Sequence, residues 1–338
     1  MRRSSLRLNV EALETRDVPA ALLVGTVLYI NGSGGDDTVT VSQVGGNALV
    51  TLNSVNSSFA LSQVTGVVFN GLGGNDTFTF TLDKAITANG GDGNDTITVN
   101  NISRQTDATI NGGDGNDTIT SMVRRKVTVV GGNGDDTITC LQASYVAITG
   151  NGGNDTITCD TTGIAGINGG DGNDTMTISH ASSATMNASS GNDIITAAFV
   201  GVANIRGETG NDTINVDAYG PIVIEGNSGN DAITFGTPGR ATVSGGTEDD
   251  NILNVGTGVA AISGGDGDDY IMGGFGYNTI NGDTGNDAIT GRGIAGDTLR
   301  GGNDADALTA AGGPTLFYVD QLDTYIARIG DRVIFARV

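Results

Sequence analysis

The chain has 338 residues, of which 38 are acidic and 16 basic, for a formal net charge of −22. Such a balance repels nucleic-acid phosphates and anionic lipid, and so argues against both as direct partners. With 56 glycines and no tryptophan, the composition suggests disorder unless a periodic pattern supplies the order, and a stacked repeat escapes the size ceiling of a single compact core.

Residues 1–20 stand apart in composition, carrying four of the basic residues: Arg2, Arg3, Arg7 and Arg16. No apolar stretch of the secretory kind precedes Pro19. Residues 8–20, with Leu8, Glu11, Leu13, Glu14, Arg16, Pro19 and Ala20 at fixed spacing, resemble the LxxExLExRxxPA segment near the N-terminus of many planctomycete surface and exported proteins. The resemblance implies export; the other reading is a frayed, charged tail. Residues 20–30 are apolar but too short to cross a bilayer, and the pattern predicts a first strand over 22–30. Residues 21–70 read as N-terminal capping coils. A turn GSGGDD leads to Asp37, and the next such turn starts only at Gly71. That distance equals about two coils, one without its turn.

Residues 71–313 are dominated by a repeat. The sequence GGDGNDTIT at 112–120 recurs unchanged at 90–98 and with one change at 169–177. Further copies start at Gly71, Gly131, Gly150, Ala188, Gly207, Gly226, Gly245, Gly264 and Gly282, and from Gly112 to Gly264 every start follows the last by the same step. A fixed short period marks a solenoid whose coils stack on one another. GGDGND is a turn, and the β-branched, alternating residues after it are a short strand. Alternation sends the eighth position inward (Ile97, Ile119, Ile138, Ile157, Met176, Ile195, Ile214, Ile233, Ile252, Ile271). The tenth follows it (Phe80, Val99, Cys140, Cys159, Ile178, Val216, Phe235). A looser second strand falls at 127–130, 146–148, 222–224 and 241–243. One coil is then two short parallel strands with a turn at each end, stacked at about 4.8 Å. The step from Gly90 to Gly112 is longer than those that follow it, which puts a three-residue insertion within 100–109, on the side away from the GGDGND turns.

The repeat resembles the RTX calcium-binding nonapeptide, GGxGxDxUx with U a large apolar residue. That resemblance implies an all-β, right-handed parallel β-roll (β-solenoid) that binds multiple calcium ions between the turns of successive coils, each coil being about 19 residues long here. It also implies that the sixth-position aspartates are metal ligands: Asp76, Asp95, Asp117, Asp136, Asp155, Asp174, Asp193, Asp212, Asp231, Asp250, Asp269 and Asp287, with turn carbonyls completing the shell. Hard oxygens in a glycine-rich cage suit calcium better than zinc or magnesium. Aspartates stacked on neighbouring coils repel by about 1 kcal/mol per pair even at the dielectric of water, so a column of twelve makes little sense without a cation. The RTX motif usually recurs twice per coil; here it comes once, so a single column is expected. Only near the end do starts fall at half the usual step, at Gly264, Gly273, Gly282, Arg292 and Gly301. The off-column copies are poor: Asn278 replaces Asp, and Ile294 and Ala295 precede Asp297.

Residues 314–338 lose the motif and read as a C-terminal cap of three strands, with Arg328, Arg332 and Arg337 on the outside. His180, the only histidine, has serines that are merely adjacent in sequence, where a catalytic triad needs converging partners. The run Arg124-Arg125-Lys126 reads as a solvated face, with contact to an acidic polymer as the alternative. Cys140 and Cys159 occupy the same repeat position and read as core fillers, their parallel side chains being poorly disposed for a disulfide. Thr pairs at the seventh and ninth positions, such as Thr96 and Thr98, point outward. A bacterial ice adhesin with calcium-binding repeats of the same period has a similar turn, but Asp92, Asp114 and Asp171 stand where that pattern has Thr. The expectation is a non-enzymatic, exported calcium-binding repeat protein, secreted or at the cell surface, rigidified by calcium as a scaffold. Its expected partners are calcium and a surface polymer or cell-envelope component, with no membrane-spanning segment. An adhesin or ice-binding solenoid is the alternative, and a polysaccharide-acting enzyme ranks last.

Overall fold

The computed structural model describes residues 19–100, 105–294 and 296–335. The N-terminal motif therefore lies, but for Pro19 and Ala20, outside the described residues, and so does most of the three-residue insertion. Each repeat supplies one long strand and one short one, as in Lys126–Asn133 and Thr137–Leu141. Long strands pair only with long strands and short with short, in parallel and in repeat register: Val127 opposite Val146, Val146 opposite Ala165, Ile138 opposite Ile157. The result is a parallel β-solenoid of about 14 coils. Its short-strand sheet is open: the end strands Val55–Ala60 and Thr324–Ile326 each have one partner.

Between the two sheets runs one continuous core. Every eighth- and tenth-position residue predicted inward is buried, and the long strands add Ile110, Val129, Ile148, Ile167, Ile205, Ile224 and Val243. A buried Ile or Val contributes roughly 1.5–3 kcal/mol relative to exposure. Repeated in every coil, that gain offsets the entropy of ordering so many glycines. Cys140 and Cys159 sit opposite each other in this core as free, buried thiols. Burial, and then the nearby Asp160, pushes the Cys159 thiol up to about 12.

Three elements depart from the sequence expectation. First, the turn is shorter than GGDGND. Gly112, Gly113 and Asp114 still belong to the strand Asp107–Asp114. Gly113, at φ 127°, lets the ladder pass from Asn111 opposite Val130 to Gly113 opposite Gly132 without pairing Gly112. Only positions four to six turn the chain. Second, residues 22–30 are a hairpin, not one strand: Ala20–Val24 runs antiparallel to Val27–Asn31, reversing at Gly25, whose φ is 61°. Third, residues 32–70 are not two coils. Thr38–Val44 pairs directly with Thr77–Phe80, and Asn47–Leu52 and Val55–Ala60 fold back on it as an antiparallel meander. The step from Asp37 to Asp76 is thus one coil step carrying an inserted meander. At the other end, Leu316–Val319 and Thr324–Ile326 continue the stack, and Arg332–Phe335 adds to Leu316–Val319.

Candidate metal centre

The turns that join long strand to short strand bring the sixth-position aspartates into one column, one per coil. All twelve predicted members are at most 3% exposed. Their two carboxylate oxygens have different fates. Oδ1 accepts the backbone N–H of the column aspartate one coil earlier: Asp76 N–H donates to Asp95 Oδ1 at 2.7 Å, Asp117 N–H to Asp136 Oδ1 at 2.8 Å, and Asp174 N–H to Asp193 Oδ1 at 2.6 Å. Oδ2 is buried in every one of the twelve and has no hydrogen-bond partner. A buried oxygen left so costs roughly 1–3 kcal/mol, and more when charged.

Each free Oδ2 turns back over the first residue of its own motif. A Cβ placed on Gly112 would collide with both Asp117 Oδ2 and the Gly131 carbonyl oxygen of the next coil. Gly90 has the same surroundings, with Asp95 Oδ2 and the Gly112 carbonyl oxygen in the way. A carboxylate oxygen and a carbonyl oxygen from adjacent coils therefore converge on one point at eleven of the twelve turns, the exception being the one that opens with Ala188. Among the described residues no three Asp, Glu, His or Cys side chains cluster as a metal site, so a cation here would take at most two carboxylates and make up its shell from backbone carbonyls. Anionic and neutral oxygens without nitrogen or sulfur match a hard ion.

Burial dominates the electrostatics. It raises Asp76, Asp117, Asp136, Asp155, Asp231 and Asp269 from 3.8 to about 6, against the lowering effect of the N–H bond to Oδ1. Asp174, Asp212 and Asp287 reach about 7 and Asp250 about 8, with charges of neighbouring column members adding to burial. Asp95 and Asp193 are raised by the same burial. Without a cation, burial makes these carboxyls hold their protons to a higher pH than ordinary aspartates do.

The structure adds members that the motif search missed. Asp306 is 1% exposed with an unpartnered Oδ2, and burial raises it to about 7. It follows Asp287 by one further period, so the repeat pointed to it, while Ala305 in place of the usual Asn or Asp disguised its turn. Asp37 heads the column, but Ser33 N–H and Oγ donate to its Oδ2 at 2.5 and 3.0 Å, and Asn53 Nδ2 donates to its Oδ1. This first aspartate is satisfied by protein alone. The fifth position forms a second ladder of opposite direction. Asn94 N–H donates to Asn75 Oδ1 and Asn116 N–H to Asn94 Oδ1, at 2.7 and 2.8 Å, and the pattern continues to Asn230. Those side-chain oxygens are spent on hydrogen bonds. Only the sixth-position Oδ2 row is left open.

Among the described residues the opposite side of the solenoid shows no such row of unpartnered carboxylate oxygens. Near the C-terminal end, buried Asn254, Asn278 and Asp297 form a closed network. Asn278 Nδ2 donates to Asp297 Oδ1 at 2.8 Å, and Gly293 N–H donates to Asp297 Oδ2 at 2.8 Å. The Arg292 guanidinium donates to the carbonyls of Gly273 and Asn254, both at 2.7 Å, and stacks over Phe275. There the cation is a side chain and no oxygen of Asp297 is orphaned.

Fold and turn column together define a calcium-binding β-solenoid. The RTX calcium-binding nonapeptide repeat model matches residues 87–101, 106–121, 128–139, 147–158, 167–177 and 263–293, so the chain carries RTX-type calcium-binding repeats. Among solved structures it is similar to a hyperactive, Ca2+-dependent, β-helical antifreeze protein from an Antarctic bacterium, at 19% identity over 75% of this chain and 78% of that one, with a TM-score of 0.40. No curated protein matches the sequence.

Proposed function

We propose that the protein is an exported, non-enzymatic scaffold whose solenoid is rigidified by calcium held along the aspartate column, Asp76 to Asp306. The observation that carries this reading is the row of buried, unpartnered Oδ2 atoms, one per coil, eleven of them converging with a carbonyl of the next coil on the glycine that opens their motif. Calcium, when bound, supplies the positive charge that this row lacks. The chain's own contribution is to hold each carboxylate by Oδ1 and so keep its Oδ2 free over the first residue of its own motif.

Export is supported by two considerations. The segment 8–20 resembles that of exported proteins, and a chain that needs calcium to lose thirteen buried charges stays unfolded where calcium is scarce and folds where it is abundant. A non-catalytic role is supported by the even spread of acids along the stack, the reverse of a localised site. His180 Nδ1 does lie 2.9 Å from Asp160 Oδ1, but Ser182 Oγ donates to the Gly163 carbonyl and not to the ring. An ice-binding plane at the edge of the turns is disfavoured by the row Asp114, Asn133, Gly152, Asp171, Ser190, Thr209, which mixes charge, amide and hydroxyl. Circular dichroism in a calcium titration tests the reading: β-sheet signal should rise with calcium and disappear in excess chelator at pH 7.5. An unchanged spectrum in chelator refutes it.

A further inference from the structure

On the side of the solenoid away from the aspartate column, between long strands and the short strands before them, lies a cavity of about 670 Å³. We propose that it binds a carboxylated polysaccharide, with Arg124 and Arg125 taking an acidic sugar and the coils beyond them taking the sugars that follow.

The charge of the cavity is local and unlike the rest of the molecule. Arg124, Arg125 and Lys126 are consecutive in a chain with 16 basic residues in all. Arg125 is held at the wall: its Nη1 lies 3.3 Å from Asp107 Oδ2 and donates to the Gln105 carbonyl at 3.2 Å. Lys126 lies over the Tyr145 ring. The Arg124 guanidinium is exposed and engages no hydrogen bond or ion pair among the described residues. Its donors are therefore available, and a guanidinium presents them in the fork that matches a carboxylate. The remaining wall suits hydroxyl groups. Gln142, Ser144, Asp160 and Thr162 line it, offering both donors and acceptors.

Two further observations extend the site along the axis. Gln142, His180 and Phe199 have left-handed backbone, at φ 70°, 58° and 55°. Glycine is the strain-free residue at such positions, and a bulkier one costs on the order of 1 kcal/mol. The chain carries side chains there instead. A break in the strand register between Ala197 and Val200 turns Phe199 outward, where it is 49% exposed and stacks on His180 at 5.8 Å and 14°. His180 in turn meets Asp160 at 2.9 Å. Arg124, Gln142, Asp160, His180 and Phe199 thus occupy five successive coils, a span of roughly 19 Å at 4.8 Å per coil. A cationic cleft, hydroxyl-matching groups and a flat aromatic platform in line fit a chain of acidic sugars. A polyphosphate fits less well: Asp107 and Asp160 flank the cleft and the whole chain carries −22, so only a ligand of low charge density with hydroxyls to bond gains there.

Calorimetric titration of the full, calcium-loaded protein with tetragalacturonate, neutral maltotetraose and a twelve-nucleotide single strand tests the assignment. Tetragalacturonate should bind and the other two at least tenfold more weakly. Arg124→Gln should weaken tetragalacturonate at least tenfold, Arg124→Lys should recover part of the loss, and Phe199→Ser should weaken it severalfold. The calcium-dependent dichroism of each variant should match the parent, which keeps failure here separate from failure of the calcium reading. Absence of tetragalacturonate binding, equal binding of the oligonucleotide, or full binding by Arg124→Gln, as expected if bound calcium bridges the ligand, would each overturn the proposal.

Discussion

Replacing Asp250 by Asn should stabilise the metal-free protein at pH 8 and weaken the calcium-loaded one. Asp250 is 3% exposed, its Oδ2 has no partner, and burial together with the Asp231, Asp269 and Glu248 charges raises it from 3.8 to about 8. A group whose folded pKa lies above its unfolded value binds more protons when folded. Its charge therefore opposes folding above the folded pKa, and the penalty disappears as pH falls toward 4. An orphaned buried oxygen alone costs roughly 1–3 kcal/mol, so relief of about 2 kcal/mol is the expected gain. The asparagine amide can donate to the Gly264 carbonyl that converges with Oδ2 on Gly245. The assay is the β-sheet dichroism of exhaustively demetallated Asp250→Asn and parent at pH 8 and pH 5. The difference should be largest at pH 8 and shrink at pH 5, where the parent carboxyl is protonated. In calcium the order should reverse, because the variant has lost an anionic ligand. A variant less stable than the parent in both conditions would refute the idea that the unpaired charge opposes folding.

The same sign applies to the whole column. Metal-free protein should gain β-structure as pH falls from 8 to 4.5, through the range of about 6 to 8 reached by its aspartates, whereas calcium-loaded protein should lose calcium over that range; dichroism and a calcium electrode follow the two. Asp306→Asn should lower the number of calcium ions bound at equilibrium dialysis, while Asp37→Asn should not, because both Asp37 oxygens already accept protein hydrogen bonds. Arg292→Met should open residues 251–297 to hydrogen exchange without changing calcium stoichiometry, as two charge-assisted bonds worth roughly 1.5–3 kcal/mol each are lost.

The period made the stack, its inward face and twelve column members readable from residue order alone. Ile119 and Ile138, one period apart, could only be neighbours in adjacent coils, and they are. What stayed hidden had no periodic signal. The meander between Thr38 and Ala60 looks like two strands of a degenerate coil until its antiparallel pairing is seen. The hairpin at Gly25 is one apolar run in the sequence. Arg292 reads as a defect in a turn, yet it donates to two buried carbonyls. The fifth-position ladder was written plainly as Asn or Asp in successive copies, but composition does not reveal that its oxygens are consumed by hydrogen bonds while those of the next residue are free.

The central claim is that calcium sits between coils, against the sixth-position Oδ2 atoms. Anomalous diffraction from crystals grown in calcium tests it most directly. Density should recur once per coil, about 2.3–2.6 Å from Asp117 Oδ2 and its counterparts. The side held by Arg292 and the fifth-position asparagine row should show none. An empty sixth-position column beside ordered calcium elsewhere would contradict the account.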